Sequence, residues 1–180
     1  MKNDISAIGN ALVDTVFKVE HSLISELGLE IDQMTLSSAE EHAPIIDRLI
    51  ISGADTVSDC GGSATNSLVA AASFGAKCFH TCKVSEDQDG LKYLKSLKDA
   101  GVGHKGNMAP ASNIPTGKCL ILVTPDAKRT MTTALNVSSL MDDNDLDLHE
   151  IANSKIFYIE GYMVTSDENY KATLHALNHL

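Results

Sequence analysis

Asp59-Cys60-Gly61-Gly62-Ser63-Ala64-Thr65-Asn66-Ser67 runs into the small-residue segment Leu68-Val69-Ala70-Ala71-Ala72-Ser73-Phe74-Gly75, and the pair reads as a strand end, a tight turn and a helix. Two successive glycines let the backbone take dihedrals that a Cβ forbids and let another group lie against the main chain. The first N–H groups of the following helix lack intrahelical partners and point at the turn. A polar ligand can dock at such a place. The same residues also fit a plain strand-to-helix connection with Ser63 or Thr65 as N-cap, so the flanking segments have to decide.

Working outward, Asp55–Asp59 reads as the strand that feeds the turn, and the helix carries Leu68, Ala71, Ala72 and Phe74 before Gly75 stops it. Lys77–Val84 is the next strand. Strand, helix and strand predict a βαβ unit with local parallel pairing and a right-handed crossover. On the N-terminal side, Ile5–Gly9 reads as a short buried strand, and Asn10 and Asp14 lie just past its carboxyl end. In open α/β sheets ligands bind at that edge, which makes both residues candidates for hydroxyl contacts, although Asx residues after a strand also form turns. Val13–Glu20 alternates in strand fashion, and a short helix at Ser22–Leu27 closes at Gly28. Ile31–Leu36 is a second short strand, and Ser37-Ser38-Ala39-Glu40-Glu41 opens a helix that runs to about Ile51.

Further along, Asp87–Ala100 is a helix stopped by Gly101, and Thr116–Thr124 with Arg129–Ala134 form a β-hairpin around Pro125-Asp126-Ala127-Lys128. A helix near Leu146–Ala152, a buried strand Lys155–Gly161 that ends at the carboxylate Glu160, and an amphipathic helix from Ser166 to Leu177 complete the chain. Gly101-Val102-Gly103-His104-Lys105-Gly106 has the spacing of a dinucleotide fingerprint, but a helix precedes it where a strand is required. Asp143-x-Asp145-x-Asp147 resembles a calcium loop without its central glycine and closing glutamate, and reads as a solvated helix entrance.

The 180 residues carry a formal charge of −10 with no Lys/Arg cluster, which argues against nucleic acid as a partner. No apolar run reaches membrane-spanning length, and Met1-Lys2-Asn3-Asp4 leads straight into a strand, so no membrane partner and a cytoplasmic location are expected. Cys60, Cys78, Cys82 and Cys119 form no C-x-x-C pair and read as reduced thiols, mostly buried.

Taken together, Gly9-Asn10 with Asp14, Gly61-Gly62 with Asn66, the following Gly75 and Gly90, the Thr116-Gly117 hairpin and Tyr158-Ile159-Glu160-Gly161 resemble the ribokinase-like (PfkB) family of carbohydrate and nucleoside kinases. Ile8–Asp14 and Tyr158–Tyr162 look more like its adenosine-kinase-like branch. The resemblance implies a three-layer α/β fold, with a central, mostly parallel sheet and a small β-sheet lid whose strands fall at about 13–20, 31–36, 116–124 and 129–135. It implies transfer of the γ-phosphoryl group of ATP, with Mg2+, to a hydroxymethyl group of a sugar or nucleoside such as adenosine or ribose. By position, Asp14 would hold acceptor hydroxyls, Gly61 and Gly62 would pass the acceptor close against the backbone, and Asn66 would bond another hydroxyl. Arg129 would contact phosphate or acceptor, and Glu160 would associate with magnesium through water.

The family's catalytic base is the aspartate of a Gly-Ala-Gly-Asp-type motif in its C-terminal half, and the 180 residues contain no such motif. The resemblance therefore implies that residues 1–180 form the N-terminal, acceptor-binding part of a kinase domain, lack a catalytic residue of their own and are inactive in transfer unaided. A catalytically inert sugar- or nucleoside-binding module and a truncated remnant are the alternatives. A homodimer through the lid or an exposed sheet edge is a further expectation.

Overall fold

In the computed structural model, which describes residues 2–110 and 114–180, the chain starts with β1 (Asn3–Ile8) and β2 (Leu12–Lys18). α1 (His21–Glu26) follows, stopped by Gly28 at φ +69°, then β3 (Met34–Leu36) and α2 (Ala39–Ile51). The predicted strand 31–36 keeps only its second half, because Asp32 turns the backbone at φ +65°. α2 starts on a capping box in which the Ser38 side chain accepts from the Glu41 N–H and the Glu41 carboxylate accepts from the Ser38 N–H, an arrangement worth about 1 kcal/mol. Next come β4 (Thr56–Gly61), α3 (Ser63–Ser73), β5 (Cys78–Thr81), β6 (Val84–Ser85) and α4 (Gln88–Asp99). β7 (Val102–His104), β8 (Met108–Ala109), β9 (Gly117–Val123), β10 (Arg129–Ala134), α5 (Leu148–Ala152), β11 (Ser154–Ile159) and α6 (Asp167–Asn178) complete the fold.

The main sheet has the order β11-β1-β5-β7 and is parallel throughout. Successive side chains of a strand point to opposite faces, and β1 shows the consequence. Ala7 packs with Leu68 of α3 and Leu97 of α4, whereas Ile8 packs with Ile151 of α5 and Ala176 of α6. Helices thus cover both faces, which gives the three layers of a doubly wound domain.

A second sheet, ordered β3-β10-β9-β2-β4, lies alongside. β9 and β10 form the antiparallel hairpin, and β2 pairs parallel with β9. One face is covered by α1 and α2, where Phe17, Leu120 and Leu122 pack against Leu23, Ile24 and Leu49. The predicted βαβ unit is corrected here. β4 is the antiparallel edge partner of β2 in the second sheet, while β5 belongs to the main sheet, so α3 carries the chain from one sheet to the other.

The helix cap is also different from either sequence assignment. Gly62, at φ +98°, occupies the N-cap position of α3 and supplies no side chain. Ser63 Oγ donates to Glu160, and Thr65 Oγ1 bonds Tyr93 and His80 at 2.5 and 3.2 Å. His80 Nδ1 faces the Ala7 carbonyl, a pure acceptor, so that nitrogen carries the proton and Nε2 accepts from Thr65, which in turn accepts from the Tyr93 hydroxyl. Burial pushes the His80 imidazole down to about 4, which keeps it neutral for this role. The network pins the first turn of α3 to the main sheet.

Gly101–Gly106 spans β7 directly after α4, so the fingerprint spacing is structural. Asp145 pairs with Lys83 at 2.8 Å and Asp147 caps α5 through the Glu150 N–H, which gives those acids structural partners. All four cysteines are free thiols, and Cys78, Cys82 and Cys119 are buried. Among the described residues no helix is long and apolar enough to cross a membrane.

Candidate functional site

A cleft of about 240 Å3 lies where the carboxyl end of β1 meets the uncovered face of the second sheet. The two-residue period of the strands furnishes its sheet wall. Asp14, Cys119 and Thr133 stand in one row across β2, β9 and β10, and Ile121 and Met131 are partners in the next row. The opposite wall comes from the segment after β1, the first turn of α3 and the residues after β11: Asn10, Gly62, Ser63, Asn66, Glu160 and Tyr162. A larger cleft of about 560 Å3, beside Lys18 and the Glu26–Arg48 ion pair, lies among α1, α2 and the β9–β10 turn and shares no residue with this one.

Glu160 follows β11 and is almost fully buried. Its Oε2 accepts from the Asn10 backbone N–H at 2.6 Å and its Oε1 from the Ser63 hydroxyl at 2.7 Å. One carboxylate thereby ties together the ends of β1 and β11 and the start of α3. Gly9 makes room for it, since a Cβ there would meet Glu160 Oε2 and Ala64 Cβ at 2.5 Å. Gly62 brings the turn against the Asn10 carbonyl, 2.5 Å from where its own Cβ would stand.

The Asn10 side chain is buried, and its two polar atoms differ. Oδ1 accepts from Asn169 Nδ2 at 3.0 Å and lies 3.4 Å from Ser138 Oγ, whereas Nδ2 has no partner among the described residues. Buried polar atoms are rarely left unpaired, so a donor of this kind on a cleft residue marks a place for a ligand or water oxygen.

On the sheet wall, Asp14 is half-buried and its carboxylate takes no hydrogen bond among the described residues. Burial pushes its carboxyl up to about 6, the Arg129 guanidinium opposes that rise, and Asp59 on β4 adds to it. Arg129 heads β10, is exposed, lines the cleft and forms no ion pair among the described residues. Asn66 is exposed on α3 and lines the cleft as well.

The structure thus brings Asn10, Asp14, Gly62, Asn66, Arg129 and Glu160 to one cleft. Gly61 is not on its lining. It pairs with Leu12 across β2 and β4, and a Cβ on it would overlap the Asp14 carboxylate, so its missing side chain makes room for Asp14. Ser63, Ser138 and Asn169 were not singled out from the sequence. In the sequence Ser63 fits an N-cap, and Asn169 is one polar residue among several in the opening turn of α6.

The profile of the pfkB family of carbohydrate kinases matches residues 30–180. This chain belongs to the pfkB family. It superposes on the adenosine kinase from Sinorhizobium meliloti with a TM-score of 0.88 at 29% identity, covering 99% of this chain and 53% of that one. A probable sugar kinase from Rhizobium etli CFN 42 matches at 26% identity with a TM-score of 0.86 over the same shares. The ribokinase of Dictyostelium discoideum is 27% identical over 129 residues, 71% of this chain and 39% of the relative. The fold is the ribokinase-like one, and the chain spans about half the length of these structural relatives.

For a pfkB kinase, ATP and magnesium are the implied partners of the reaction. Among the described residues no group of three or more His, Cys, Asp or Glu is placed to hold a metal ion, and both oxygens of Glu160 already accept hydrogen bonds. The residues present do not form a direct magnesium shell.

Proposed function

We propose that this chain is the acceptor-binding half of an ATP-dependent kinase that phosphorylates a hydroxymethyl group of a sugar or nucleoside. The observation that carries the reading is the pairing, in one cleft, of an unengaged carboxylate on Asp14 with an unengaged buried amide donor on Asn10. A vicinal diol suits this pair. Two hydroxyls donate to one ionised carboxylate, and a hydroxyl or ring oxygen accepts from Asn10. A site built on such bonds discriminates strongly against analogues that cannot make them.

Asn66 adds an amide at the same cleft, and Arg129 provides a positive charge for a phosphate or for a polar acceptor edge. The second sheet acts as the lid, positioning Asp14 and Arg129 and excluding water above the acceptor. Any magnesium association of Glu160 is through water, its oxygens being held by Asn10 and Ser63. On the family resemblance, ATP binding and the catalytic base are assigned to sequence outside residues 1–180. The adenosine-kinase-like branch is favoured by the Sinorhizobium match, which makes a nucleoside the first acceptor to try, and a cytoplasmic setting fits a soluble phosphotransferase.

Calorimetric titration of the 180-residue chain with adenosine, ribose and fructose tests the reading. Saturable binding of at least one acceptor is expected, with no ATP consumption in a coupled assay. The absence of binding to all three would overturn the acceptor assignment, and turnover by the chain alone would overturn the claim that it lacks a base.

A further inference from the structure

We infer that Asn169 of α6 is a positioning residue that fixes which way the Asn10 amide faces, so that Asn10, on this wall of the cleft, keeps a buried hydrogen-bond donor for an acceptor oxygen that reaches it. The inference rests on the acceptor-site reading for its functional consequence, but the orientation itself does not.

An asparagine amide presents nearly the same shape either way round, and only its partners define which end is oxygen. Asn169 is completely buried, and its two ends face groups of fixed polarity. The Met141 backbone N–H, which can only donate, lies 3.1 Å from Oδ1. The Ser138 carbonyl, which can only accept, lies 3.0 Å from Nδ2. Both contacts demand the same orientation, and the reverse would set donor against donor and acceptor against acceptor. The second hydrogen of Nδ2 then has Asn10 at 3.0 Å and, as a weaker acceptor, the Met163 sulfur at 3.8 Å, so it goes to Asn10 and the atom that receives it is Oδ1. The Ser138 hydroxyl is the weaker influence: its proton goes to the Leu135 carbonyl at 2.6 Å, so its oxygen would accept from a reversed Asn10 amide, but at 3.4 Å it sits farther from Asn10 than Asn169 does at 3.0 Å. Asn10 Nδ2 is left as the free donor, and Asn10 lines the cleft.

The chain of constraint runs from a backbone amide at Met141, through α6, to a residue 159 positions away from Asn169 at the end of β1. Its chemical content is a choice of polarity. Without it, Asn10 could turn its oxygen outward and meet ligand hydroxyls as an acceptor. With it, the position favours a hydroxyl that accepts, a ring oxygen or a carbonyl, and disfavours an ammonium group.

Side-chain amide NMR of the chain labelled with 15N-asparagine reads the orientation without a ligand. The Asn169 NH2 protons are expected downfield, as protons with two oxygen acceptors, and the Asn10 NH2 protons upfield of them. In Asn169→Leu the Asn10 signals are expected to shift or split as both orientations become populated. Downfield, hydrogen-bonded Asn10 protons in the free wild type, or Asn10 signals unmoved by Asn169→Leu, would overturn the inference. The wild-type spectrum decides even if the variant does not fold. In titrations with adenosine or ribose, Asn169→Leu is expected to weaken binding about tenfold in the wild-type background and to have no effect in an Asn10→Ala background, as a double-mutant cycle requires when one residue acts through the other. Equal losses in both backgrounds would show a merely structural role. If the wild type bound neither ligand, the acceptor-site reading would fail while the spectrum still decided the orientation.

Discussion

The two walls of the cleft are built on opposite plans. On the main-sheet wall the buried polar groups are engaged within the protein: Glu160 by Asn10 and Ser63, and Asn10 Oδ1 by Asn169, with one buried amide donor on Asn10 and the exposed Asn66 side chain left over. On the second-sheet wall, Asp14 and Arg129 take no hydrogen bond or ion pair among the described residues, although the Arg129 charge acts on Asp14. The difference separates two tasks. Engaged groups hold three chain ends in register at a cost that binding need not meet again, and unengaged groups keep their capacity for a ligand. Substitutions should therefore damage stability on one wall and affinity on the other.

The largest expected effect is on the main-sheet wall. Glu160→Leu orphans the buried Asn10 N–H and the Ser63 hydroxyl and should cost about 3–5 kcal/mol in urea unfolding. A loss below about 1 kcal/mol would show that Glu160 is not the tie between the strand ends. Gly62→Ala comes next, because it combines φ +98° with a Cβ 2.5 Å from the Asn10 carbonyl. A loss of about 2–3 kcal/mol is expected in the same assay, and a neutral result would mean that the turn relaxes easily.

Smaller effects belong to the second-sheet wall, and they depend on pH. The folded Asp14 carboxyl titrates near 6, against an ordinary value of 3.8, so between those values the folded state binds more protons than the unfolded one. Stability should then fall as pH rises through that window, by about 1–2 kcal/mol after allowance for solvent screening of a half-buried group. The quantity to measure is the difference between wild type and Asp14→Asn, since other carboxylates, such as Asp87, are held low and slope the opposite way at lower pH. Acceptor affinity should run against stability, rising with pH through about 6 as the carboxylate ionises. Arg129→Gln has the smallest effect: unfolding should change by less than about 0.5 kcal/mol, while the midpoint of the affinity profile moves upward because a charge that holds Asp14 down is gone. An unmoved midpoint would separate Arg129 from the site.

Local chemistry made much of this arrangement legible in the sequence. The hairpin announces itself by two strand-like runs flanking the turn at Pro125-Asp126, and the glycine pair announces the turn before α3. What the sequence does not carry is the choice of sheet. β4 reads like any strand before a helix, and its pairing with β2 depends on contacts such as Gly61 yielding space to Asp14, far apart in the chain. Asn169 was illegible for the same reason. Its role exists only through Met141, Ser138 and Asn10, which lie 28, 31 and 159 positions away. Asp14 could be placed as a candidate from its position past β1, but its isolation from partners is a property of the folded cleft.

The most direct measurement is calorimetric titration of wild type and Asp14→Asn with adenosine and ribose at neutral pH, alongside their unfolding curves. The account predicts saturable binding by the wild type, a loss of about 100-fold in Asp14→Asn from two charge-assisted hydrogen bonds, and no loss of stability in the variant. Equal affinities in the two proteins, or no binding by the wild type, would contradict it.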